Sequence, residues 1–176
     1  KGIVSAYLPI AATVVKNEVF QSFYGDAAEN RQVAQVNTYG GHPAAAAVAV
    51  RNIEIMQEER LADRAAELGA YLMDGLKTLY SRKHVGDVRG KGLLIGVELV
   101  LDRASKEPVP AGLIGGVVEF CRDNGVIVGR SGGGVRYSNT ITLCPPLVIT
   151  RGECDRLVEV LDKAMGWLEG KLSATA

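Results

Sequence analysis

Asn37-Thr38-Tyr39-Gly40-Gly41-His42-Pro43 runs directly into Ala44-Ala45-Ala46-Ala47-Val48. Gly40 and Gly41 admit a positive φ or the close approach of another molecule. Pro43 suits the first position of a helix, where its missing N–H costs nothing. The pattern predicts a tight turn feeding a helix. Such a helix start leaves backbone N–H groups unpaired and carries partial positive charge, an arrangement that takes phosphates, here with the Thr38 hydroxyl beside it. A plain loop and helix cap is the alternative reading of these residues, and the rest of the chain has to decide.

Downstream, the helix is predicted to run from Pro43 to about Glu59, with Ile53 and Met56 continuing its buried side. Leu61, Ala65, Leu68, Leu72, Leu76 and Leu79 recur every three or four residues and predict a second helix. His84 falls in a basic segment that reads as surface. Val88-Arg89-Gly90-Lys91-Gly92 reads as a Gly-rich turn before a strand, Leu93 to Val100. Ile114, Val117, Val118 and Cys121 mark another helix, stopped by Asn124-Gly125. Val126 to Val128 and Thr140 to Leu143 read as short strands. The intervening loop, Gly129 to Asn139, carries Arg130 and Arg136. Thr150-Arg151-Gly152-Glu153 fits a capping box, opening a helix through Leu157, Leu161, Ala164, Met165 and Leu168 that frays from Lys171. Upstream, Leu8 to Val15 reads as a buried strand, and Asn17 to Phe23 as a short helix with Asn17 at its N-cap. Gly25 to Val36 is polar and irregular, a length of loop expected to be mobile or to bind something. The order of elements suggests the end of an α/β layer followed by a small α+β domain.

The 176 residues are 47% hydrophobic, enough for a sizeable core. Lys+Arg 20 balances Asp+Glu 20, so nothing favours a nucleic-acid partner. No apolar run is long enough to span a membrane, and no signal peptide is expected. Cys121, Cys144 and Cys154 show no metal-ligand spacing, and they are expected as reduced, buried thiols in a cytoplasmic setting. A metal site fails for want of clustered ligands. There is no nucleophile elbow for a serine hydrolase. Arg89-Gly90-Lys91-Gly92 lacks the P-loop pattern, so a positively charged entry to a strand is the favoured reading there.

Four segments together carry a resemblance. Lys1-Gly2-Ile3-Val4-Ser5-Ala6-Tyr7-Leu8-Pro9-Ile10-Ala11-Ala12 resembles the segment around the Schiff-base lysine of class III (ω-type) aminotransferases. Those are fold type I enzymes that use pyridoxal 5′-phosphate (PLP). Asn37 to Ala44 resembles the same family's Thr-x-x-Gly-His-Pro stretch. Val88 to Leu93 and Leu143-Cys144-Pro145-Pro146-Leu147 match in order and approximate spacing. The resemblance covers nearly the whole chain.

It implies an α/β fold type I PLP-dependent transferase. Residues 1–44 would be the C-terminal end of the large PLP-binding domain, and residues 45–176 the small C-terminal α+β domain. The implied activity is transamination between a primary amine or ω-amino acid and a 2-oxo acid such as pyruvate, by a homodimer or higher homo-oligomer. Lys1 would bind PLP and move the proton between Cα and C4′, a role that suits an amine whose pKa is lowered beside a cationic cofactor. Thr38 would contact the PLP phosphate, in this family across the dimer interface. His42 would be structural. Ornithine, acetylornithine and 4-aminobutyrate relatives hold a substrate carboxylate with an arginine at the position that is Thr142 here. In the ω-amino acid–pyruvate branch a mobile arginine of the preceding loop does so, and Arg130, then Arg136, are the candidates. Guanidinium suits a planar carboxylate, and a solvated loop arginine is the alternative for each.

The family's partner of the pyridine nitrogen, its stacking aromatic and its main phosphate-binding turn lie upstream of the lysine. The chain is therefore expected to be a C-terminal portion that lacks its N-terminal half. Two other readings stay open: a folded module inactive without a separate N-terminal half, and a related PLP-dependent aminomutase or decarboxylase.

Overall fold

The computed structural model describes residues 2–35, 37–38, 40–131 and 139–174. Lys1 and Arg136, two candidate site residues, lie outside that set. The chain divides into two compact units, Lys1–Glu59 and Arg60–Ala176.

In the first unit, a 3-10 turn spans Gly2–Val4, α1 spans Asn17–Gln21, a second 3-10 turn spans Ala27–Glu29, and α2 spans Pro43–Glu58. Pro43 opens α2 as expected, with His42 at the N-cap. Ala45 and Ala49, one turn apart on α2, are buried, as is Val4. The expected strand from Leu8 to Val15 is absent: those residues are irregular and mostly exposed, Val14 at 93%. A strand needs a neighbour to pair its N–H and C=O groups, and the described residues of this unit contain no other strand. Lys16, not Asn17, takes the N-cap of α1. Asn17 instead lies inside the first turn, where its Oδ1 accepts from Gln21 Nε2 at 3.4 Å.

In the second unit, α3 (Leu61–Lys77) leads through a 3-10 turn to β1 (Val85–Lys91) and β2 (Leu94–Asp102). Then come β3 (Glu107–Pro108), α4 (Ala111–Asp123), β4 (Gly129–Arg130), β5 (Thr140–Leu143) and α5 (Arg151–Ser173). The sheet is antiparallel in the order β1-β2-β5-β4, with β3 paired to β2. Alternation along β2 puts Ile95, Val97 and Leu99 into the core, in register with Ile141 and Leu143 of β5. Leu68, Leu72 and Leu76 of α3, Ile114 and Val117 of α4, and Leu157, Leu161 and Leu168 of α5 complete that core. Each such leucine contributes about 1.5–3 kcal/mol by leaving water. Close approaches depend on glycine: a Cβ on Gly69 of α3 would lie 2.3 Å from the Gly92 backbone, and one on Gly116 of α4 would lie 2.3 Å from the Trp167 ring.

Several expectations need correcting here. Val88 to Lys91 belongs to a strand, because β1 pairs along β2 from Val85 to Lys91. The turn is the two-residue Gly92–Leu93, with Gly92 at φ 54°. Val126 to Val128 is irregular, and pairing begins only at Gly129, opposite Thr142. His84 is buried rather than superficial. Its Nδ1 lies 3.0 Å from Val100 O, and its own carbonyl accepts from Val100 N at 2.9 Å, so it extends the ladder past the end of β1. Cys144 is exposed, while Cys121 and Cys154 are buried. α5 continues past Lys171 to Ser173, with the Lys171 ammonium over the Trp167 ring. The capping box is present: Thr150 Oγ1 accepts from Glu153 N, and Glu153 Oε2 accepts from Thr150 N.

Among the described residues no helix is long and apolar enough to cross a membrane, and no group of three or more His, Cys, Asp or Glu could hold a metal ion.

Candidate active site

The turn before α2 is closed by Gly40 N donating to Asn37 O at 2.8 Å. Thr38 sits inside it and is exposed. Gly41 has φ 69°, and the space where a Cβ would stand is empty for 4 Å. The first helical bond is Ala46 N to His42 O at 3.0 Å. His42 gives no side-chain cap, and the first turn carries no acidic residue. The amides at the start of this 16-residue helix meet no acidic residue in its first turn, and the glycine-containing turn before them carries the Thr38 hydroxyl as a further donor. That chemistry fits a phosphate.

The turn after Lys1 is held by the same helix. Asn52 Nδ2 donates to Gly2 O at 3.2 Å and to Ile3 O at 3.0 Å, while its Oδ1 accepts from Ser5 Oγ at 2.9 Å. Ser5 and Ala6 have φ 48° and 63°, the left-handed region that non-glycine residues rarely adopt. Sequence reading missed these contacts. The available signal was one amide, Asn52, within an Ala/Val-rich helix.

Arg130 belongs to the second unit. It stands opposite Ile141, whose side chain is in the core, so its register aims it toward the helix-covered face. Its Nη1 donates to Ala111 O, at the start of α4, at 3.1 Å, and the residue is exposed. Thr142 points the other way, in register with Gly96 and Gly129. On that polar face Arg89, Glu98, Lys106, Pro108, Asn139 and Thr140 help line a concavity of about 370 Å³. Arg89 is already committed there, to Asp87 at 2.9 Å and Glu98 at 2.5 Å. The Arg89 guanidinium, helped by the Tyr80 hydroxyl, holds the Asp87 carboxyl below its ordinary range. Burial pushes the Cys121 thiol up to about 11 and raises that of Cys154, so neither is a ready nucleophile.

The fold thus brings the Gly2–Ser5 turn and Asn52 together in one unit, which also carries Thr38, and fixes Arg130 in the other. Residues 1–165 match the family model described as aminotransferase class-III. The chain belongs to the class-III aminotransferase family. An uncharacterized aminotransferase of Bacillus subtilis, YhxA, is 45% identical over 165 residues, covering 93% of this chain and 36% of its own length. The taurine–pyruvate aminotransferase of Bilophila wadsworthia is 40% identical over 175 residues, covering 97% and 38%. A crystal structure of a Bacillus anthracis aminotransferase superposes with a TM-score of 0.90 at 45% identity, covering 94% of this chain and 37% of that one. The chain therefore spans somewhat over a third of the length of these class-III relatives. The expected α/β fold of a class-III PLP-dependent transferase is the fold found.

Proposed function

We propose that this chain forms part of a transaminase that moves an amino group from a primary amine or ω-amino acid to a 2-oxo acid such as pyruvate. Class-III membership over residues 1–165 carries this reading, and similarity to a taurine–pyruvate aminotransferase supports the choice of donor and acceptor. The family's cofactor is PLP, which supplies an electron sink when a bond to the amine-bearing carbon breaks. Lys1 is the residue that holds the cofactor, and its Nζ carries the proton to and from that carbon. Thr38 Oγ1 and the amides at the start of α2 hold the phosphate, as their donor chemistry supports. Arg130 pairs with the substrate carboxylate after leaving the Ala111 carbonyl, which accepts only one of its five N–H donors. Arg136, outside the described residues, is the second candidate for that role.

The expected boundary after residue 44 would cut α2 at its second residue, so on this reading the first unit, Lys1–Glu59, completes a large cofactor-binding domain and Arg60–Ala176 forms the small domain. The functional enzyme is a cytoplasmic homodimer in which Thr38 serves the partner's cofactor. The exposed apolar residues Val14, Val19, Phe20 and Phe23 support a first unit that packs against further protein.

Borohydride reduction of the PLP-loaded full-length protein, followed by peptide mapping, tests the assignment. The pyridoxyl mass is expected on Lys1, and its appearance on another lysine would overturn the reading.

A further inference from the structure

We propose that Asn52 is a positioning residue for Lys1, acting through the backbone turn that follows that lysine in the chain. The inference rests on the reading of Lys1 as the cofactor lysine and goes beyond it to the device that holds the backbone turn following that lysine in the chain.

Three observations carry it. The Asn52 carboxamide spans 47–50 residues of sequence to reach Gly2 O, Ile3 O and Ser5 Oγ, so it is a tertiary clamp and not a local turn contact. Its chemistry allows one orientation: two carbonyls demand the NH2 group, and the serine hydroxyl then donates to Oδ1. The clamped turn is strained, with Ser5 at φ 48° and Ala6 at φ 63°. Such residues cost about 1–3 kcal/mol each and persist only where their surroundings over-determine them. Val4, buried at 3% exposure between the two clamped carbonyls and Ser5, is the second anchor.

The clamp also explains why a polar amide sits in α2. Asn52 lies nine positions, about 14 Å of helix, along α2 from Pro43, which the Thr38 turn precedes. A single rigid element thereby fixes the backbone next to Lys1 at one place and, on the proposed reading, presents at its end the phosphate donors that serve the partner's cofactor. Lys1 Nζ has to return to the same point in every half-reaction, and a displacement of about 1 Å is worth about 100-fold in rate. Loosening the turn therefore acts on kcat more than on KM.

The test uses the PLP-loaded full-length protein and three variants. Asn52→Asp places a carboxylate against two carbonyl oxygens and is expected to lower kcat by about 100-fold, Asn52→Ala by about tenfold, and Ser5→Ala by about two- to threefold. KM for the amine should change by less than about twofold, and the pH midpoint of the cofactor's visible absorbance should shift by about half a unit or more in Asn52→Ala. A lower Tm with unchanged kcat and pH midpoint would mean a purely structural role and overturns the proposal. If Asn52→Ala fails to fold, Ser5→Ala decides, and wild-type kcat and pH midpoint in that variant overturn it equally. Borohydride labelling run in parallel separates the two claims: a label on Lys1 with unaffected variants removes only the role of Asn52, whereas a label on another lysine removes the lysine reading beneath it.

Discussion

Among the described residues, the first unit buries only Val4, Ala45 and Ala49 as apolar side chains. The second buries a continuous cluster that includes Leu72, Leu76, Ile95, Val97, Ile141 and Leu161. Both have apolar sequence to spare: Leu8 to Val15 looks as ready for a core as Leu94 to Val100. The difference is in partners. β2 has β1 on one side and β5 and β3 on the other, and three helices supply its covering side chains. Leu8 to Val15 has no strand beside it among the described residues. Apolar composition alone makes no core; burial needs a second surface and a home for every backbone N–H and C=O.

The sharpest way to break this contrast is a pair of truncations in the 176-residue chain. Leu76→Ala empties a site with 0% exposure and should cost about 2–5 kcal/mol in urea unfolding. Val14→Ala, at 93% exposure, should stay within about 0.5 kcal/mol. Comparable losses at the two sites would show that the first unit has a core of its own. Next in size is Gly69→Ala. In an open helix this change gains up to about 1 kcal/mol, but here the new methyl meets the Gly92 backbone at 2.3 Å. The expected outcome is a net loss of about 1–3 kcal/mol, read from the denaturant midpoint. Gly2→Ala, with nothing within 4 Å of its Cβ position, is the matching control in the first unit.

The smallest effect is electrostatic. Arg82 pairs with Asp162 at 2.6 Å and Glu169 at 3.4 Å, tying the segment after α3 to α5. The guanidinium lowers the Asp162 carboxyl below its ordinary 3.8. A lowered folded value means the contribution is complete above the unfolded value and is lost as pH falls through the folded one. The pair is partly exposed, so it is worth about 1 kcal/mol or less. Asp162→Asn should lower the urea midpoint at about pH 6 and reduce its further fall toward about pH 2.5. A variant with the wild-type acid dependence would remove this pair from the account of the second unit.

Legibility in the sequence followed the range of the forces involved. α3, α4 and α5 are readable because a 3.6-residue period and end signals, Asn124-Gly125 and Thr150 to Glu153, lie within the elements themselves, and α2 from Pro43 and its alanines, although Ile53 and Met56, expected on its buried side, are exposed at 45% and 36%. β2 and β5 were readable from their apolar runs. Val88 to Lys91 of β1 reads as a turn because Gly90 and Arg89 look like loop residues, although a Cβ at Gly90 would lie 2.3 Å from Leu94 O across the strands. In the candidate site the Thr38 turn was legible as a glycine-rich helix start. The tie from Arg130 to Ala111 and the clamp from Asn52 to Gly2, Ile3 and Ser5 were not, since each joins residues 19 or more positions apart.

The sequence alone determined the helices and the class-III family, because intrahelical hydrogen bonds and motif residues are local and their spacing is written along the chain. Tertiary structure decided which apolar stretches become strands, which side His84 takes, and what holds the turn after Lys1. Those outcomes depend on a pairing partner or a second surface, and no residue carries the address of its partner in its own neighbourhood.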